Sequence, residues 1–94
     1  MPRADGGRRG QVSARDPAAA LFNAARPLPI RSVVRCELMC YARNIESGEQ
    51  NAADVLHMFG AYDQIQETWT PDERAAFAMA REALALVAGV EVAR

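Results

Sequence analysis

A helix has to begin at Thr70-Pro71-Asp72-Glu73, and that requirement organises the rest of the chain. Thr70 can accept a hydrogen bond from a backbone N–H of the first turn. Proline suits the first helical position, because its φ is already helical and its missing N–H had no partner there. Glu73 stands three residues after Thr70, so its carboxylate can reach back to the Thr70 N–H and close a capping box. Asp72 and Glu73 also place negative charge at the positive end of the helix dipole. The segment that ends at Trp69 must therefore turn and double back against the new helix.

Away from that point the composition favours helix. Nineteen of the 94 residues are alanine, the strongest helix former and one small enough to let helices approach closely. Valine and isoleucine are spread thinly, and no alternating run of strand length is bounded by turn residues. The chain is expected to be all-α, a compact bundle of four helices with the first one short, following a disordered N-terminal tail at residues 1–15. Ninety-four residues fit one domain, residues 16–94. A domain this small buries only about 60% of its unfolded surface, so the six aromatic residues must supply much of the core.

Asp16-Pro17 predicts a first helix to residue 25 carrying Leu21 and Phe22, ended by Pro27 and Pro29. A second helix is expected over residues 30–46. Ile30, Val34, Leu38, Tyr41 and Ile45 form its apolar stripe at 100° per residue, with Glu37 between apolar positions and Ser47-Gly48 as its end. A third is expected from the Asn51 cap to Trp69, with Val55, Met58, Phe59, Tyr62 and Ile65 at helical spacing and Gly60 as a bend or a close crossing. The fourth is expected over residues 71–88, with Gly89 closing it and Val90 to Val92 extended.

Charge is unevenly distributed. Every basic side chain is arginine, a bias with a simple genomic explanation. The first fifteen residues carry four arginines against one aspartate, whereas residues 16–94 carry seven arginines against eleven acids. The folded part is thus mildly acidic, which disfavours nucleic acid as its main partner. No apolar run follows the N-terminal charges as in an export signal, and no stretch reaches 18 apolar residues, so nothing spans a membrane and a cytoplasmic location is expected. Cys36 and Cys40 are then expected as reduced thiols.

No catalytic motif is present: no nucleophile elbow, no paired metal-site histidines, no phosphate-binding glycine loop. Activity as an enzyme is not expected, nor is a cofactor. Cys36 and Cys40 lie four apart and could hold a metal only with His57 and a fourth ligand such as Glu37 or Asp54. Plain thiols and a surface histidine explain the same residues more simply. Arg31, Arg35 and Arg43 with Met39 form a basic strip with an apolar centre, a composition favoured at protein interfaces. The fourth helix is apolar around more than half its circumference, so Met79, Leu86 and Val90 are candidates for a homodimer interface, unless the first helix folds across it. The expected function is that of a small non-catalytic binding or regulatory protein, of bacterial or phage accessory type, acting on an unidentified protein partner. The alternative is a DNA-binding regulator using residues 51–88 as a helix-turn-helix, with Arg74 and Arg81 exposed on its second helix and a basic arm around Arg8 and Arg9.

Overall fold

Each helix starts on a side chain that satisfies its first backbone N–H groups. In the computed structural model, which describes residues 16–93 and side chains as far as Gly89, α1 (Pro17–Ala25) is capped by Asp16, whose Oδ1 accepts from the N–H groups of Ala18 and Ala19 at 3.0 and 3.2 Å. α2 (Val33–Ser47) is capped by Ser32, whose Oγ accepts from the Arg35 N–H at 3.1 Å. α3 (Ala52–Phe59) and α4 (Pro71–Ala93) both carry complete capping boxes, Asn51 with Asp54 and Thr70 with Glu73. No strand occurs among the described residues, and no helix there is long and apolar enough to cross a membrane. The basic stretch 1–15 lies outside the described residues.

The described residues form an all-α bundle of four helices with a short first helix. α1 packs most extensively on α2 and then on α4, while α3 packs on α4. Small residues make this possible: Ala18, Ala24 and Ala25 of α1 are buried, as are Ala42 of α2 and Ala76 and Ala80 of α4. Leu21, Leu38 and Leu84 fill the space between them and are fully buried, each contributing about 1.5–3 kcal/mol of burial free energy. α1 therefore covers much of the broad apolar face of α4.

Three boundaries differ from the sequence expectation. α2 begins at Val33, not at residue 30. Pro29 accepts from the Ser32 N–H at 2.9 Å in a turn that makes Ser32 the cap, and Ile30 is left 82% exposed instead of heading the apolar stripe. The third helix stops at Phe59. Residues 60–62 and 66–68 form two separate 3-10 turns, so Tyr62, Ile65 and Trp69 do not continue one helical stripe. Gly60 marks this change of course, and no atom lies within 4 Å of where its Cβ would be, so no close crossing requires it. α4 runs on through Gly89 to Ala93, because nothing turns the chain at that glycine, and residues 90–92 are helical rather than extended. Gly48, by contrast, ends α2 as expected, in the left-handed conformation at φ +84°.

One contact joins two helix starts. The Ser32 hydroxyl donates to Oε2 of Glu73 at 2.6 Å while Oε1 accepts from the Thr70 N–H at 2.9 Å. The two oxygens of one carboxylate thus serve the caps of α2 and α4 together. Their charged form is favoured, chiefly by the Ser32 hydroxyl and then by Thr70, and the Glu73 carboxyl is held below its ordinary range.

Candidate functional site

Five of the six aromatic rings gather where α2, α3, the 60–70 link and α4 meet. Phe59 stacks on Phe77 at 4.3 Å between centroids. Tyr41 meets Phe59 edge-on at 5.6 Å, and Trp69 meets Phe77 edge-on at 5.0 Å. Tyr62 leans on Phe77 at 5.5 Å and on Trp69 at 6.1 Å. Such offset and edge-on pairs each add about 0.5–1.5 kcal/mol beyond the area they bury. That gain accounts for the broken helix: the turns at residues 60–68 bring Tyr62 and Trp69 onto Phe77.

Polar groups are built into this cluster. The Tyr62 hydroxyl donates to Oε1 of Glu37 at 2.8 Å, and the Tyr41 hydroxyl lies 3.0 Å from it. A phenol has one proton to give, so with Tyr62 donating to Glu37, Tyr41 donates to Tyr62. Burial first, then the bonds to Tyr41 and Glu37, push the Tyr62 phenol far above its usual range. The link is also tied to α4. Arg81 pairs with Asp63 at 2.8 Å, which lowers the Asp63 carboxyl, and Arg74 donates to the carbonyls of Trp69 and Gln66 at 2.6 and 3.3 Å.

Beside the cluster is a cleft of about 150 Å³ lined by Val33, Val34, Glu37, Tyr62, Ile65, Trp69 and Phe77. Phe77 is buried and Trp69 half-buried, while Val33 and Ile65 stand 67% and 47% exposed. Glu37 is its one charged lining group. Three separate segments build it, and the sequence hinted at it only through Glu37, an acid set among apolar positions of α2.

The residues singled out from the sequence fare differently. Arg31 and Arg43 are exposed, but Arg31 lies in the turn before α2 and so off the helical line. Arg35 is half-buried, its Nε buried with no hydrogen-bond partner among the described residues, and Met39 packs against the core rather than outward. The expected strip is therefore interrupted at its centre. Met79 and Leu86 are exposed, seven apart on α4, and a groove of about 280 Å³ between α1 and α4 runs beside Met79. The Val90 side chain lies outside the described residues. Cys36 and Cys40 are exposed free thiols. Slight desolvation, then the Cys36 thiol beside it and the Glu37 carboxylate, hold the Cys40 thiol above its usual range. His57 is exposed on α3, and among the described residues no three His, Cys, Asp or Glu side chains gather as a metal site. The helix-turn-helix pair is separated by all of residues 60–70, longer than the 3–4-residue turn such a motif uses, and the guanidinium groups of Arg74 and Arg81 are engaged with the link.

No protein-family model, curated protein or solved structure matches this chain.

Proposed function

We propose that this chain is a small non-catalytic binding protein that works through protein–protein contacts, and that the cleft between the start of α2 and the 60–70 link is the surface it presents. The observation that carries this reading is that Val33 and Ile65, both open to water, line a cleft together with Tyr62, Trp69 and Phe77. Clustered apolar exposure of this kind marks association. The polar groups beside it support the same reading. Glu37 and Tyr62 bond to each other, which stiffens a surface rather than readying an acid or base for turnover.

Cross-linking of the full chain in its native host, followed by mass spectrometry, tests the reading. The adduct formed by the natural chain is expected to be lost when Val33 and Ile65 are both replaced by aspartate, with helicity and thermal midpoint unchanged. An undiminished adduct would sink the proposal. Self-association through Met79 and Leu86 is a second reading, favoured by their exposure seven apart on α4; light scattering on the natural chain and on Leu86→Glu decides it. DNA binding is weakened by the engaged Arg74 and Arg81.

A further inference from the structure

We infer that the cleft accepts a single basic side chain, a lysine or arginine of the partner, with its aliphatic stem between Val33 and Ile65 and its charge against Glu37. The inference rests on the binding-surface reading above and names the chemistry of what that surface binds.

Size comes first. Pockets that hold a metabolite or cofactor run to about 300–1,000 Å³. At about 150 Å³ this cleft has room for one side chain. Its lining then selects the kind. Val33, Val34 and Ile65 offer apolar walls, suited to methylene groups. Trp69 and Tyr62 offer aromatic rings, which attract a cation placed over their faces. Glu37 settles the choice between a neutral and a charged tip. A carboxylate has about four lone-pair positions, and the hydrogen bond described for Glu37 is the one from Tyr62. A purely aliphatic side chain filling the cleft would shut water away from this charge and leave lone pairs without donors, a costly burial. An ammonium or guanidinium group brings the donors with it and neutralises the charge. On α4, Arg81 is held by Asp63 at 2.8 Å and Arg74 by the Trp69 carbonyl at 2.6 Å.

The test uses the full chain and small probes. Trp69 is the sole tryptophan and lies in the cleft, so its fluorescence reports occupancy, with amide chemical shifts of the ¹⁵N-labelled protein to locate it. n-Butylammonium and n-butylguanidinium mimic the two side chains, and n-butanol is the neutral control. Both cations are expected to saturate at millimolar concentration and to bind at least about tenfold more tightly than butanol, a difference of roughly 1.4 kcal/mol. Glu37→Gln is expected to bring the ratio close to one while butanol binding is kept. Equal affinity of cation and alcohol for the natural chain would overturn the cation preference and leave an apolar docking surface standing. No saturable response to any probe would overturn both. The comparison on the natural chain decides the matter even if the variant folds poorly.

Discussion

The two sides of this bundle are packed on opposite plans. Where α1 meets α2 and α4, alanines and leucines pack regular helices close together, and the side chains at that seam are fully buried. Where α3 meets the link and α4, five aromatic rings and two phenol hydroxyls take over, the helix breaks into 3-10 turns, and a cleft opens at the surface. Small residues allow close approach with intact backbone geometry. Large rings at fixed mutual angles dictate where the backbone must go, and the link gives up regular helical geometry to follow them.

The comparison can be broken most directly at its two centres. Phe59→Ala removes the ring stacked on Phe77 and should cost about 3–5 kcal/mol, while Leu21→Ala on the alanine side should cost about 2–5 kcal/mol. Urea denaturation read by circular dichroism measures both. The two sides differ in kind as well: Phe59→Ala is expected to disturb the environment of Trp69, and Leu21→Ala to leave it alone. Equal Trp69 shifts in the two variants would mean that the sides do not behave separately.

Tyr62→Phe sharpens the contrast with less damage. It keeps the ring and removes the hydroxyl between Tyr41 and Glu37, for an expected loss of about 1–2 kcal/mol. A variant as stable as the natural chain would show that solvent replaces those bonds at no cost.

The glycines offer a smaller and signed test. Gly60 has a helical backbone, φ −59°, and open space where a Cβ would sit. Gly60→Ala should therefore stabilise by about 0.4–1 kcal/mol, by restricting the unfolded chain. Gly48 ends α2 at φ +84°, so Gly48→Ala should destabilise by about 1–2 kcal/mol. Thermal midpoints moving in the same direction for both would contradict the assignment.

The finest effect is one of pH. The Glu73 carboxyl lies below its ordinary 4.5 because the folded chain bonds its charged form. Its contribution to stability is complete above that value and is lost as pH falls through the lowered folded one. Urea midpoints should thus decline less steeply in Glu73→Gln than in the natural chain between about pH 5 and about pH 3. Parallel curves would mean that the bonds to Ser32 and Thr70 contribute nothing.

Most of the helix starts could be read in advance, because a cap is a local device. Asp16-Pro17, Asn51 with Asp54, and Thr70 with Glu73 each carry their signal within four residues. Ser32 is masked in the sequence because Ile30 fits the apolar stripe of α2 so well; the turn from Pro29 outweighs that periodicity. The break after Phe59 was hidden for the same reason, since Tyr62, Ile65 and Trp69 keep helical spacing although tertiary contact with Phe77 sets their course. The cleft has no local signal, as its walls come from α2, the link and α4, and nothing in the sequence around Val33 or Ile65 says that they line one cleft. The interruption of the Arg31–Arg43 strip follows from packing too: Met39 is drawn against the core and Arg31 lies in the turn before α2.

The shared carboxylate of Glu73 has a consequence for how the molecule opens. Helix ends ordinarily fray one at a time. Here the Ser32 hydroxyl that starts α2 bonds the carboxylate that caps α4, forty-one residues away in the chain, so loosening the first turn of α2 removes a bond from that cap. The two first turns are thereby coupled through one carboxylate, and their amide protons are expected to show similar protection against exchange with solvent.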